Sequence, residues 1–237
     1  MSEQETLGMA QSRKLRPGEV HLWWSSLSAT ESVSEVLVSA VLSSDEQVRA
    51  ARFHFARDRR RFILTRGMLR HGLAMYVDQR PQDIRFEYGA HGKPRLDSDV
   101  TFNLAHSHDM VVCAIARGRA IGVDVERTEP MRDWAHIATK TFSRAEQDEL
   151  FALELSEQLA GFFNGWTRKE AYVKARGDGL AIPLDSFDVS LKPGEPARLL
   201  GNRLDASEVG RWSLAAIGLP QDYVGAIAAQ GQIAEIV

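Results

Sequence analysis

The chain contains a single cysteine, Cys113, among 237 residues. Disulfides within it are thereby excluded, and the apolar run MVVCAIA (residues 110–116) around that thiol predicts a buried, inert side chain rather than a nucleophile. Long hydrophobic runs are also missing. No stretch approaches the roughly 20 apolar residues of a membrane span, and the polar N-terminus lacks the apolar centre of a secretory signal, so a cytoplasmic protein is expected. Charge of one sign is scarce as well: 29 Lys and Arg stand against 32 Asp and Glu, a net charge of −3. Neither nucleic acid nor a membrane surface is an expected partner, and any anion must be held by a local cluster of cations. What remains is an ordinary globular composition, 44% hydrophobic and 26% charged.

Residues 1–18 are polar, end in Pro17-Gly18 and are expected to form an N-terminal extension. VHLWW (20–24) is rich in β-formers and predicts a strand. Ser43 followed by Glu46 is a capping-box pattern, and the proline-free stretch after it predicts a long helical segment divided into two helices. DIRFEY, TFNLAH, MVVCAIA and AIGVDVE then predict short strands, separated by turns at His91-Gly92-Lys93-Pro94, Ser107-His108-Asp109 and Gly118. Beyond Pro130 the order recurs. Ser143 and Glu146 repeat the capping box 100 positions on, Phe62 falls on Phe162, and FDVSL, RWSLAAI and YVGAIAA supply late strands. The expected fold is α+β, built from a duplicated half, with a cleft at the seam.

Chemistry-bearing residues concentrate in three segments. In IGVDVERTEP the period is two, so Asp124 and Glu126 share one face of a strand while Ile121, Val123 and Val125 share the other. Two such carboxylates suit a hard cation such as Mg²⁺, or else form a solvated strand face partly neutralised by Arg127. In FFNGWTRKEAYVKARGDGL, Trp166, Glu170 and Lys174 make one row on a helix with Lys169 beside it. Glu170 and Lys174 have the spacing of an ordinary exposed pair, but Phe162, Phe163, Tyr172 and Val173 make the rest of the helix apolar, so the row borders a buried surface. In TFNLAHSHDM, His106 and His108 lack a convincing third zinc ligand, and His106 with Asn103 suits a phosphate better. Lys93 supplies another cation, and the arginine-rich helix reads as a solvated face with Arg49 or Arg66 turned toward an anion.

Together these segments resemble the surfactin-type 4′-phosphopantetheinyl transferases, enzymes that convert apo carrier proteins to their holo form. The resemblance rests on GVDVE, matching Gly-(Ile/Val)-Asp-(Ile/Val)-Glu, and on WTRKEAYVK some 40 residues later, matching Trp-(Ser/Thr)-x-Lys-Glu-(Ala/Ser)-x-x-Lys. GKPRL, FNLAHSHD, GDGL and SSDEQVRAARFHFARD are also similar, so it spans about residues 19–230. It implies a pseudo-dimer of two similar α+β halves, set here at 19–118 and 119–237, the second carrying the metal-binding motifs. It implies that Asp124, Glu126 and Glu170 hold Mg²⁺ against the pyrophosphate of coenzyme A, that Lys174 neutralises that pyrophosphate, and that Lys169 lies close by. It further implies 3′-phosphate contacts from His106, with Asn103, Lys93 and Arg49 contributing. Ala105 stands where the pattern commonly has Ser, which removes a hydroxyl from the expected phosphate site.

The implied reaction is attack by a serine of an apo acyl or peptidyl carrier protein on the β-phosphate of coenzyme A, releasing 3′,5′-ADP. Glu170, or a metal-bound water that it orients, is the expected base and Lys174 the expected charge stabiliser. The same hard oxygen donors admit Mn²⁺. A non-catalytic coenzyme A or nucleotide-binding module is the alternative, and a generic Mg²⁺-dependent phosphohydrolase would leave the Trp-Thr-x-Lys-Glu helix unexplained. Two fused halves make a monomer the expected state.

Overall fold

The computed structural model describes residues 13–27, 35–89, 92–177 and 182–237. Positions 1–12 of the expected extension, His91 of the expected turn, and Asp178, Gly179 and Leu180 of GDGL lie outside the described residues. The chain runs β1 (Glu19–Ser26), α1 (Glu35–Ser39), α2 (Ser44–Ala51), α3 (Ala56–Ala74), β2 (Glu87–Tyr88), β3 (Pro94–Arg95), β4 (Val100–Ser107) and β5 (Met110–Arg117). It continues through β6 (Ile121–Arg127), α4 (Trp134–Thr141), α5 (Arg144–Phe151) and α6 (Leu155–Arg176). β7 (Phe187–Val189), β8 (Leu199–Asn202), α7 (Glu208–Arg211), β9 (Trp212–Ala216), β10 (Tyr223–Gln230) and β11 (Glu235–Ile236) complete it. One expected strand shrinks: of DIRFEY only Glu87 and Tyr88 of its C-terminal end extend into strand, and residues 81–83 form a 3₁₀ turn. Pro81 at the first position of that turn favours it, and Ile84 is buried as a hydrophobic anchor rather than paired in a ladder.

The duplication is visible in the sheets. β5 pairs antiparallel with both β1 and β4, and β10 pairs antiparallel with both β6 and β9. Each half therefore lays its first strand against the second strand of its late hairpin. The expected fold class, α+β in two similar halves, is the observed one. β11, within the segment 119–237, pairs in parallel with β1 and so joins the other half's sheet.

The capping boxes are repeated with their surroundings. Glu46 Oε2 accepts from Ser43 N–H at 3.0 Å and from Arg70 Nε at 2.7 Å. Glu146 Oε2 accepts from Ser143 N–H at 2.8 Å and from Lys169 Nζ at 2.7 Å. Both carboxylates are buried, so each helix start is locked to the long helix of its half by an ion pair that water does not screen.

Strand alternation then sorts the cores. Met110, Val112, Ala114 and Ala116 of β5 meet Ile121, Val123 and Val125 of β6 and Ile227 and Ala229 of β10 in one apolar layer between the two sheets. The opposite face of β5, with Val111, Cys113 and Ile115, packs in the apolar clusters that include α3 residues. Cys113 is buried as expected, and burial pushes its thiol up to about 12. No helix among the described residues is long and apolar enough to cross a membrane.

Candidate active site at the seam of the two halves

β6 is an edge strand of its sheet and β4 an edge strand of the other. An edge strand presents backbone groups that need partners. Here side chains from the first half supply them. Asn103 Oδ1 accepts from Val123 N–H at 2.8 Å, Ser107 Oγ accepts from Arg127 N–H at 3.2 Å, and Lys93 Nζ donates to Ile121 O at 2.9 Å. Residues 103 and 107 lie on one face of β4, so a single pattern in FNLAHS serves this edge.

The other face of β6 receives α6. Gly122 permits the contact: a Cβ there would overlap Ala171 O and Ala175 N and lie 2.9 Å from Ala175 Cα. With Ala171 and Ala175 four apart on the helix, helix backbone lies against strand backbone. This close approach brings the row containing Glu170 and Lys174 up to Asp124 and Glu126. Trp166, Glu170 and Lys174 are all half-buried while most of their neighbours on α6 are buried, as the narrow charged row predicted.

Asp124 is buried, and its Oδ1 accepts from Lys174 Nζ at 2.6 Å. Its Oδ2 is buried without a hydrogen-bond partner among the described residues. Burial, partly offset by the Lys174 ammonium and reinforced by Glu126 and Glu170, raises the Asp124 carboxyl to about 7. Burial also raises Glu170, with Lys174 opposing and Glu126 adding to the shift. Glu126 Oε2 is held by Ser107 Oγ at 2.7 Å. Two carboxylates raised by burial and by neighbouring negative charge, one of them with an orphaned oxygen, form with Glu126 a donor set that fits a hard divalent cation. Among the described residues no three such side chains are already gathered into a metal cage. Lys174 supplies the positive charge at Asp124.

The pH dependence of stability in the presence of a chelator should report this burial. The Asp124 carboxyl titrates at 3.8 when exposed and at about 7 in the folded chain. Between those values the folded chain retains a proton that the unfolded chain has released. The stability contributed by this group is therefore highest below pH 4, declines as pH rises to 7, and is level above, for a total of about 4 kcal/mol. Asp124→Asn is expected to flatten this limb, so that the variant gains on the parent at pH 8 relative to pH 5. Urea-unfolding curves that keep the same offset at both pH values would contradict the assignment.

The remaining predicted site residues distribute unevenly. Lys169 does not join the row. Its side chain is fully buried, with Nζ donating to Leu184 O and Phe187 O, both at 2.7 Å, besides pairing with Glu146. Burial lowers its pKa, and three protein acceptors occupy its donors, so it is the second half's counterpart of Arg70. Asn103 is likewise committed to β6. Ala105 is buried in the layer between the sheets, so a hydroxyl there would point into the seam and away from the exposed His106. Arg49 is exposed over the Phe62 ring at 5.3 Å, and Arg66 lies 5.9 Å from the same ring while pairing with Glu46 at 3.3 Å. His108 pairs with Glu129 at 3.3 Å. Sequence reading passed over Ser107, although its spacing of four from Asn103 placed it on the same strand face, and it gave Gly122 no role beyond the motif.

Comparison with known proteins decides the family. Residues 120–228 match the 4′-phosphopantetheinyl transferase superfamily, and residues 28–117 match the 4′-phosphopantetheinyl transferase N-terminal family. The chain is 39% identical over 218 residues to 4′-phosphopantetheinyl transferase HetI of Nostoc sp., covering 90% of this chain and 88% of that one. The chain belongs to the 4′-phosphopantetheinyl transferase family. It is 34% identical over 152 residues to 4′-phosphopantetheinyl transferase Sfp of Bacillus subtilis, covering 63% of this chain and 66% of that one. It is 35% identical over 160 residues to 4′-phosphopantetheinyl transferase psf-1 of Bacillus pumilus, covering 67% of each. Its activity is accordingly transfer of phosphopantetheine to carrier proteins.

Proposed function

We propose that the seam site binds coenzyme A by its pyrophosphate and transfers the 4′-phosphopantetheine arm to a serine of an apo acyl or peptidyl carrier protein. The observation that carries this reading is the buried Asp124, whose one oxygen meets Lys174 and whose other has no partner among the described residues, with Glu126 on the same strand face and Glu170 on α6 near enough for its charge to act on Asp124. Asp124, Glu126 and Glu170 would hold Mg²⁺, or Mn²⁺ by the same hard oxygen chemistry, and the ion would supply positive charge to the pyrophosphate. Lys174 adds a second cation, anchored to Asp124 before substrate arrives.

The serine oxygen forms a bond to the β-phosphorus while the bond from that phosphorus to the oxygen bridging to 3′,5′-ADP breaks. The serine proton needs an acceptor, because a neutral hydroxyl is a weak nucleophile. Glu170, raised by burial, is half-exposed and suited to take that proton. His106, which can donate a ring N–H, and the Arg49 guanidinium are both exposed on the first half and are the groups of the expected set that remain for the 3′-phosphate. The expectation of a cytoplasmic monomer rests on the sequence reading.

Purified protein with coenzyme A, Mg²⁺ and a panel of apo carrier proteins is expected to add one phosphopantetheine mass to the carrier serine. Folded protein that binds coenzyme A but leaves every carrier mass unchanged would instead identify a binding module.

A further inference from the structure

We propose that Lys93 is a positioning residue which fixes Lys174 against Asp124 across the seam, and that it does not contact phosphate. Its ammonium donates to Lys174 O at 2.6 Å and to Ile121 O at 2.9 Å. These acceptors belong to the two elements that build the site. Ile121 begins β6, three residues before Asp124. Lys174 O lies in the last turn of α6, where carbonyls lose their helical partners and a cation is favoured.

Gly177, in the left-handed region at φ 77°, ends the helix with its N–H on Val173 O. Lys93 answers the next carbonyl along. One side chain of the first half therefore ties the end of α6 to the start of β6, while Gly122 sets how closely they pack. Burial drops the Lys93 pKa to about 8, and the geometry gives the reason: the ammonium is enclosed between two carbonyls, and among the described residues no carboxylate pairs with it. A lysine held this way has two of its three donors committed to backbone. Swinging the ammonium out of this enclosure toward a phosphate would break the clamp that sets Lys174.

The inference rests on the proposed transferase reading only for its kinetic part. Lys93→Met keeps the aliphatic stem and removes the donors; Lys93→Arg restores a cation of different shape. The measurements are melting temperature, amide hydrogen exchange along α6, affinity for coenzyme A and for 3′-dephospho-coenzyme A, and transfer rate. Lys93→Met is expected to speed exchange at residues 174–177 by about tenfold while the first turns of α6 keep their protection. Transfer should fall about 10²-fold in kcat, the size of loss that a misplaced catalytic group produces, with KM for coenzyme A changed less than about twofold.

The preference for coenzyme A over its 3′-dephospho form should be unchanged, and Lys93→Arg should recover part of the rate. A collapse of that preference, with α6 exchange unaltered, would make Lys93 a phosphate ligand and overturn the proposal. Unaltered exchange with unaltered transfer would overturn it equally. If the parent protein transfers nothing, the transferase reading fails, and the exchange measurement still decides whether Lys93 holds the end of α6.

Discussion

Gly122→Ala is expected to disable the protein more completely than its size suggests. The added methyl group would meet Ala171 O and Ala175 N, which are backbone atoms of a 22-residue helix and cannot rotate away as a side-chain end can. Relief requires α6 to move off β6 as a body. Overpacking of this kind costs about 1–3 kcal/mol in a well-packed core. The functional cost is larger. A shift near 1 Å would pull Lys174 from Asp124 and carry Glu170 away from the strand with it, and displacements of that size reduce turnover about 10²-fold. The measurement is transfer rate alongside urea-unfolding stability. A variant that keeps both within twofold of the parent would show that the helix does not rest on this glycine. Gly118→Ala is the control for position in the chain, because among the described residues, its two chain neighbours aside, no atom lies within 4 Å of where its Cβ would sit. Its φ of 65° predicts a modest loss of stability and no specific loss of transfer.

Asp124→Ala and Glu170→Ala are each expected to lower transfer by at least about 10²–10³-fold, the range seen when one electrostatic partner of a transition state is removed. The fold should survive both. Asp124 is held in the folded chain against its burial, and its Oδ2 has no hydrogen bond to lose. Its partner Lys174 keeps about a third of its side chain exposed and can turn to water. Removing the carboxylate therefore costs little stability, whereas removing Glu146 would strand the fully buried Lys169 and is expected to unfold the second half. Calorimetric titration of Mg²⁺ should lose its signal in the same two variants. Near-normal turnover in either would sink the assignment of the carboxylates as metal ligands.

The carboxylates were legible because their signals are local. A period of two in IGVDVE puts Asp124 and Glu126 on one face, and a spacing of four in the helix aligns Trp166, Glu170 and Lys174. The same periodicities describe β6 and α6 as observed. The capping boxes at Ser43 and Ser143 were readable for the same reason, each being a contact between residues three apart. The cations were harder to assign. Lys169 and Lys174 lie five apart on one helix and look equally available in sequence, yet Lys169 is fully buried and Lys174 faces Asp124. What separates them is Glu146, a partner 23 positions away on α5, which no spacing within WTRKEAYVK announces.

The sequence by itself determined the α+β repeat, the family, and the residues bearing carboxylates and cations, because local periodicity and contiguous motifs encode those features. Only the tertiary structure decided which polar side chains are committed to holding the molecule together. Lys93, Asn103 and Lys169 each carry groups suited to phosphate, and each is committed to protein acceptors or donors on another element. Hydrogen bonds are short and directional, so a side chain's role depends on what lies within about 3 Å of it. For these residues those neighbours come from chain segments 15 to 81 positions away.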